Sequence, residues 1–265
     1  MVPHLFFCQY IQLFRTTHCI AYMNRKPSDI FELSPQVAQG LIGALSECVL
    51  EKRLELFQSI LEERTRYVTV VLEDIHQSQN ASAAIRSCEC FGIQDIHIIE
   101  NNHKFSVNPK VSMGAAKWLN IYKYNHKQNN SQEAVEHLKR EGYRIVGTSP
   151  HAPDVSLDIF SIEKGKFALF FGNELNGLSE LVLKNTSEIV KIPTVGFTES
   201  LNLSVSVAIC IHKLTARLRN SAIDYRLTER EKTILLLQWL RLTVKSWRSI
   251  EKRFFAEQLY HNINK

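Results

Sequence analysis

Residues 167–179 read FALFFGNELNGLS, and this stretch decides the fold class. Its first five residues are apolar and predict a short strand that is buried on both faces. The strand ends directly in Gly172, Asn173 and Glu174. A tight strand-to-helix turn explains the glycine, because glycine adopts backbone conformations that other residues avoid, but it leaves Asn173 and Glu174 unexplained. We therefore interpret the segment as a core strand whose carboxyl end carries polar residues with a chemical role.

Apolar, β-branched runs of similar length lie on both sides of this strand, at residues 68–72, 96–99, 143–147 and 188–192. Segments with helical periodicity separate several of them, at residues 79–91, 131–141 and 178–186. Alternation of strand and helix predicts an α/β fold with a mostly parallel sheet and helices on both of its faces. Ligand sites in such sheets lie at the carboxyl ends of the strands.

A second polar segment follows strand 68–72, where a helix is predicted to begin at Asn80 and carries Arg86 six residues later. Neither a GxGxxG fingerprint nor a Walker A loop follows this strand, so an ordinary dinucleotide or P-loop site is not predicted. Asparagine is a favourable helix N-cap. Capping therefore explains Asn80, and solvent exposure explains Arg86, if each residue is considered alone.

A third segment, KIPTVGFTESLNLSVSVA at residues 191–208, leads from a strand through a proline and a glycine into a predicted helix. The small residues Ser204, Ser206 and Ala208 allow another chain segment to approach that helix closely. Packing of a small-residue helix inside the core is the alternative interpretation.

In this order, the three segments closely resemble the motifs of the SpoU/TrmH family of SPOUT RNA 2′-O-methyltransferases. The family patterns are N-x-x-A-x-x-R, G-[NQ]-E-x-x-G-[LI] and I-P-M-x-G-x-x-x-S-L-N-V-S-V-A. The chain departs from them at Thr194, where the family has methionine, and at Leu203, where it has valine. The resemblance covers about residues 66–219, and three linked motifs are far more specific than any one of them.

The resemblance implies a SPOUT fold whose C-terminal part forms a deep trefoil knot, a rare exception to the absence of knots in proteins. The knot would form a pocket for a bent S-adenosyl-L-methionine, held largely by backbone atoms. By matching motif positions, the cofactor-binding residues would be Thr148, Gly172, Ile192 and Leu201. No bound metal is implied, and no group of cysteines and histidines has the spacing of a zinc site.

The resemblance also implies that Arg86 is the catalytic centre and that Asn80 holds it. The other matched polar residues, Glu174, Ser200 and Asn202, would shape the site and the dimer contact. A free guanidinium is a poor base, because its pKa exceeds about 12. Arg86 would therefore act either polarised by an RNA phosphate or by orienting the ribose hydroxyl. Family members are homodimers whose active site draws on both subunits, and we expect the same here through the helix from Ser200 onward.

Positive charge is concentrated near the C-terminus. The formal net charge is +5, and residues 213–265 hold 12 lysines and arginines against 5 acidic residues, which leaves the rest of the chain slightly acidic. A basic segment of this kind favours a polyanionic partner, although a solvated helix face is the alternative. The residues predicted to contact RNA phosphates are Arg241, Lys245, Arg248, Lys252 and Arg253. Trp239 and Trp247 could stack on bases, but their helical spacing favours packing.

The chain divides into four predicted parts. Residues 1–22 are an uninformative or disordered tail, 23–65 an N-terminal helical extension, 66–219 the methyltransferase core and 220–265 a basic helical extension with a helix start at Thr228. This architecture most resembles family members that methylate the D-loop guanosine at position 18 of tRNA. The alternatives are 2′-O-methylation of 23S rRNA or of another tRNA position, and a non-catalytic RNA-binding relative.

The remaining features favour a cytoplasmic protein. The six cysteines are scattered and include no CxxC pair, as expected for buried free thiols in a reducing compartment. The longest apolar runs fall short of the eighteen or so residues that a membrane-spanning helix needs. Residues 1–22 lack the basic start of a secretory signal, and Met23 is a plausible natural start.

Overall fold

The computed structural model describes residues 33–151 and 155–263. The chain forms two compact units. The sheet unit comprises Glu63–Arg226, and the helical unit combines the chain up to Glu62 with the chain from Leu227 onward. Most of the two predicted helical extensions therefore falls in one unit, whereas the predicted tail at 1–22 lies outside the described residues.

The sheet unit is built on a seven-stranded sheet in which all neighbouring strands are parallel. Its strands are β1 (Val68–Glu73), β2 (Asp95–Ile99), β3 (Asn120–Tyr124), β4 (Arg144–Thr148), β5 (Val155–Ser156), β6 (Phe167–Phe171) and β7 (Glu188–Lys191). Their order across the sheet is β3-β2-β1-β6-β4-β7-β5. The five predicted strands are confirmed. The sequence missed β3 and β5, which are the two edge strands, because β3 is mostly polar and partly exposed and β5 has only two residues.

Helices cover both faces of this sheet. The helices of the described chain are α1 (Pro35–Ser46), α2 (Glu51–Glu63), α3 (Ser78–Cys90), α4 (Pro109–Ser112), α5 (Asn130–Arg140), α6 (Glu180–Asn185), α7 (Leu203–Arg219), α8 (Glu229–Thr243) and α9 (Trp247–Ile263). Alternate residues of β1 enter different apolar clusters. Val70 and Leu72 pack with α3 and α7, and Val71 packs with α5 and α6. Since each fully buried valine or leucine stabilises the fold by roughly 1.5–3 kcal/mol, both faces have to be covered. The predicted α/β class is confirmed.

The helical unit contains α1, α8, α9 and nearly all of α2. Helix α1 begins with Ser34 as N-cap and Pro35 in the first turn. Helix α8 begins with a capping box between Thr228 and Glu231, so the predicted helix start at Thr228 is confirmed. The sequence did not predict the break between α8 and α9. Trp239 is 2% exposed and packs edge-on against a phenylalanine ring of α2, so its interpretation as a packing residue is confirmed.

Among the described residues, the helices are too short or too polar to cross a membrane. The four cysteines in this part of the chain are free. Cys88 and Cys210 are buried, and burial raises the pKa of the Cys210 thiol to about 12. The expectation of buried thiols is wrong for Cys48 and Cys90, which are exposed.

Candidate active site

The predicted cofactor-binding residues lie at the carboxyl ends of neighbouring strands. Thr148 is the last residue of β4, Gly172 follows β6, and Ile192 follows β7. Since β6, β4 and β7 are adjacent in the sheet, the three positions share one edge. Thr148 donates a hydrogen bond from Oγ1 to the carbonyl of Phe170, 2.8 Å away. Leu201 is 40% exposed and precedes α7.

The chain turns sharply after β1, at Asp74, which adopts a left-handed conformation with φ of 53°. Its Oδ1 accepts hydrogen bonds from the backbone N–H groups of Asn101, Asn102 and His103 at 2.7–3.0 Å. Burial alone would raise the pKa of Asp74, but these donors and the Asn102 amide outweigh it, and the pKa lies below its ordinary value. Asp74 therefore fixes the loop after β2 to the end of β1.

A compact loop follows β6. A Cβ on Gly172 would lie 2.1 Å from the carbonyl carbon of Gly177, so only glycine fits at this position. The backbones of Asn173 and Gly177 exchange two hydrogen bonds, of 2.9 and 2.8 Å, and Gly177 has a φ of 68°. The Asn173 amide donates to the Asp74 carbonyl at 2.7 Å, and its Oδ1 accepts from the N–H of Leu175. These contacts hold the two ends of the loop together and present Glu174 at its tip.

Three side chains from the three sequence segments meet in one hydrogen-bonded network, which we call the amide relay and define as Glu174, Asn80 and Asn202. Asn80 Nδ2 donates to Glu174 Oε1 at 2.9 Å. Asn202 Nδ2 donates to Asn80 Oδ1 at 3.1 Å. Asn202 is the N-cap of α7, and its Oδ1 accepts from the N–H and hydroxyl of Ser204. The structure therefore brings together residues separated by as many as 122 positions.

The negative charge of Glu174 determines which groups donate and which accept in the hydrogen bonds of the amide relay. Its carboxylate also accepts hydrogen bonds from the backbone N–H groups of His76 and Gln77, at 3.0 and 3.4 Å. Partial burial alone would raise the pKa of Glu174, but the Asn80 amide and the backbone donors outweigh it, so the pKa lies below its ordinary value. An ionised carboxylate only accepts hydrogen bonds, so Asn80 has to point its NH₂ group at Glu174 and its oxygen at Asn202.

The structure corrects one expectation about α3 and leaves a second untested. Gln77 is its N-cap position, and Asn80 lies inside the first turn, so the interpretation of Asn80 as a helix cap is wrong. Arg86 is exposed and makes no hydrogen bond or ion pair with any described residue. Six helical residues place it about 9 Å along the axis from Asn80 and about 120° around it. Within one chain, the structure does not bring Asn80 to Arg86, although Asn80 was expected to hold it.

Ser200 lies in a segment that is exposed from Pro193 to Asn202. It makes no hydrogen bond with the described residues, so the structure leaves its predicted role open. Val195 and Phe197 in the same segment are fully exposed, at 106% and 108% of the reference area.

Sequence reasoning missed two acidic residues at this edge, Glu73 and Asp74. Glu73 is 2% exposed and accepts hydrogen bonds from Ser131 and Ser179. Both carboxylates lie at the carboxyl end of a core strand, which is the same signal that singled out Glu174. The sequence therefore held a usable indication of them.

A family model confirms the resemblance on which these residues were selected. The model described as the SpoU rRNA Methylase family matches residues 67–212, which is more than half of the chain. The chain belongs to this family.

Members of the SpoU family that act on tRNA are among its most similar relatives. The tRNA (guanosine(18)-2′-O)-methyltransferase of Borreliella burgdorferi is 45% identical over 210 residues, which cover 79% of this chain and 94% of that protein. The Aquifex aeolicus protein of the same name is 28% identical over 72% of this chain. A solved structure described as the A. aeolicus TrmH/SpoU tRNA modifying enzyme superposes with a TM-score of 0.64 at 28% identity, over 74% of this chain and 98% of that one.

The basic residues that we expect to contact RNA in this SpoU family member lie on α8, on α9 and between them. Lys245, Arg248, Lys252 and Arg253 are exposed. Arg241 is different, because its guanidinium donates two hydrogen bonds to the Glu251 carboxylate at 2.6 and 3.0 Å, and both side chains are largely buried. Arg241 is thus held by a carboxylate of its own unit, which reduces the charge that it offers to a phosphate. The guanidinium groups of Arg241 and Arg248 lie over the Trp247 ring, 4.8 and 4.5 Å from its centroid.

Proposed function

We propose that this chain is an S-adenosylmethionine-dependent RNA ribose 2′-O-methyltransferase that modifies guanosine 18 in the D-loop of tRNA. The observation that carries the proposal is the amide relay, in which one residue from each of the three family motifs joins the same hydrogen-bonded network. The named activity of a relative that is 45% identical over 79% of the chain supports the choice of tRNA and of position 18.

The edge formed by the ends of β4, β6 and β7 fits S-adenosylmethionine. Ile192 and Leu201 supply partly exposed apolar side chains for an adenine ring, and the strand ends at Thr148 and Gly172 supply main-chain groups for its polar atoms. In this proposal the chain from β6 to α7 forms the trefoil knot of the SPOUT fold around that pocket. When bound, the cofactor supplies a methyl group on a positively charged sulfur, so the protein has to align the acceptor hydroxyl and assist loss of its proton.

In this proposal the main task of the protein is therefore to position the groups that react. Glu174, ionised and held by Asn80, His76 and Gln77, orients the Asn80 amide, which in turn orients Asn202. An amide NH₂ group has two hydrogens, and Asn202 uses one of them on Asn80, so the other is available to an RNA oxygen. Since a guanidinium is in general a poor proton acceptor, the role of Arg86 in this proposal is to bind and orient the ribose and its phosphate.

We propose that the enzyme is a homodimer that associates through α7 and completes its site in doing so. Val205 and Ile209 lie one turn apart on α7 and are 44% and 37% exposed, and Val195 and Phe197 precede them. Grouped exposed apolar residues are typical of protein interfaces. The separation of Arg86 from Asn80 within one chain also supports a site to which two subunits contribute.

In the same proposal, the exposed basic residues of the helical unit bind tRNA phosphates. They are Lys245, Arg248, Lys252 and Arg253. Such contacts supply affinity and orientation, whereas the choice of nucleotide rests with the sheet unit. A cytoplasmic location, where tRNA is modified, remains a prediction.

The test is to incubate the full chain with labelled S-adenosylmethionine and separate tRNA and rRNA pools, and to map the methylated ribose. Label at guanosine 18 of tRNA is expected. Label entering rRNA alone would instead support the rRNA activity for which the family model is named. Absence of label from both pools, with RNA binding retained, would indicate a non-catalytic relative.

Replacing Arg86 with alanine should lower turnover by about 100-fold or more, because a charged hydrogen-bond donor to the reacting ribose is lost, and should leave cofactor affinity unchanged. The matched control is Arg140→Ala, an exposed arginine on α5, on the other face of the sheet. Equal turnover by the two variants would remove Arg86 from the site. Mixing Arg86→Ala with Glu174→Gln subunits tests the shared site, since activity that neither variant has alone requires mixed dimers with one intact site.

A further inference from the structure

Glu73 is the last residue of β1, is 2% exposed, and makes three close contacts. Its Oε1 accepts hydrogen bonds from the hydroxyls of Ser131 and Ser179, at 2.5 and 2.6 Å. Its Oε2 accepts from the backbone N–H of Ser179 at 2.9 Å. Ser131 lies in the first turn of α5, and Ser179 is the N-cap of α6. One buried carboxylate therefore joins β1 to the starts of two helices.

The contact with Ser179 anchors one end of the loop that carries Glu174. The other end is anchored by Asn173, whose amide donates to the carbonyl of Asp74 at 2.7 Å. Two consecutive residues at the end of β1 thus hold both ends of a loop that spans Gly172 to Ser179. Glu174 lies between these anchors and meets Asn80 at 2.9 Å.

Stability alone does not explain a carboxylate at this position. Removing an acidic side chain from water is unfavourable unless hydrogen bonds compensate for it, and apolar residues of similar size stabilise a buried site equally well or better. Positions 70–72 of the same strand are all buried and apolar. Glu73 departs from that pattern, and its side chain contacts Ser179 at the end of the loop that carries Glu174.

We propose that Glu73 is a positioning residue for methyl transfer. Through Ser179 and the backbone of residues 172–179, it keeps Glu174 within hydrogen-bond distance of Asn80. This inference rests on the proposed function, because Glu174 is assigned its role there. It adds a residue that touches neither cofactor nor RNA and yet controls the rate.

The direct test is Glu73→Gln in the full chain. A glutamine has one amide oxygen in place of two acceptor oxygens, so its NH₂ group has to face at least one of the present donors. We expect kcat to fall by about 10- to 100-fold, because small displacements of catalytic groups have effects of that size, with KM for tRNA nearly unchanged. The matched control is Tyr143→Phe, which removes a partly buried hydrogen bond from the tyrosine hydroxyl to the Arg66 carbonyl at the opposite edge of the sheet and should keep wild-type kcat.

A coupling measurement separates positioning from general loss of structure. If Glu73 acts through Glu174, then Glu73→Gln should lower kcat strongly in the wild type and hardly at all in a Glu174→Gln background. Equal effects in both backgrounds, or a fall in kcat for Tyr143→Phe that matches that of Glu73→Gln, would overturn the proposal. If Glu73→Gln does not fold, Ser179→Ala removes the same hydroxyl contact and takes its place in the cycle.

The outcomes also distinguish this inference from the proposed function. Full activity of Glu174→Gln alone would contradict the role assigned to Glu174. Loss of activity in Glu174→Gln combined with wild-type kcat in Glu73→Gln would contradict only the positioning role of Glu73.

Discussion

Substitution of Gly172 by alanine tests the geometry of the site most directly. The added Cβ would lie 2.1 Å from the carbonyl carbon of Gly177 and 2.3 Å from the nitrogen of Leu178, whereas ordinary contacts begin near 3.4 Å. Both obstacles are backbone atoms, so no side chain can rotate away. The two sides of the loop therefore have to separate by about 1 Å, and this opens the pair of hydrogen bonds between Asn173 and Gly177.

The size of the effect follows from these contacts. Overpacking typically costs about 1–3 kcal/mol, and each of the two weakened hydrogen bonds adds about 1 kcal/mol, so the free energy of unfolding should fall by roughly 3–5 kcal/mol. For a unit of this size, that corresponds to a decrease in Tm of about 10 °C. Glu174 follows the displaced Asn173, and a 1 Å movement of a catalytic group lowers turnover by about 100-fold.

Thermal unfolding and single-turnover methyl transfer to tRNA measure the two effects. The matched control is Gly43→Ala in α1, because nothing lies within 4 Å of an added Cβ there. Alanine in a helix interior should stabilise that variant by about 0.5–1 kcal/mol and leave turnover unchanged. A Gly172→Ala variant with wild-type Tm and turnover would refute the geometry described for this loop.

Two further predictions concern charge. Asp74→Asn should be less stable than the wild type at neutral pH. Since hydrogen bonds outweigh burial and lower the folded-state pKa of Asp74, the difference in the free energy of unfolding should be complete above about pH 4 and should shrink as the pH falls from there through that lowered pKa. Urea unfolding at pH 7 and at a series of lower pH values measures this. Exchanging the exposed Lys245 and Lys252 for alanine should reduce the slope of log affinity for tRNA against log salt by about 2, whereas Arg241→Ala should destabilise the fold by about 3 kcal/mol, because it leaves the buried Glu251 unpaired.

Three of the five strands that the sequence predicted, β1, β2 and β6, are buried along their whole length. Strands such as β1 and β6 are continuous apolar runs, so composition alone identifies them. The edge strand β3 pairs on one side only and includes the exposed Lys123, which removes the apolar signal. Likewise, the sequence of α8 and α9 predicts one continuous helix, because the break at residues 244–246 contains no proline or glycine.

The members of the amide relay could be selected from the sequence, but their contacts could not. Asn80, Glu174 and Asn202 stand in recognisable motifs, whereas the hydrogen bonds between them depend on how three strand ends meet. The expectation that Asn80 holds Arg86 could have been questioned from spacing alone, because six helical residues place two side chains on different faces. Glu73 and Asp74 were missed because they belong to no motif, although their position at a strand end was informative.

The separation of Arg86 from the amide relay has a chemical advantage. Glu174 receives hydrogen bonds from the Asn80 amide and from two backbone N–H groups, so its charge is satisfied without a cation. If Glu174 or its neighbours bound the guanidinium instead, Arg86 would be neutralised in the same way that Glu251 neutralises Arg241 in the helical unit. Among the described residues Arg86 has no hydrogen-bond or ion-pair partner, and a guanidinium in that state keeps its charge and its five donors for a phosphate and a ribose. In the proposed function, the relay therefore supplies fixed dipoles, Arg86 supplies the charge that binds RNA, and methyl transfer requires both at one ribose.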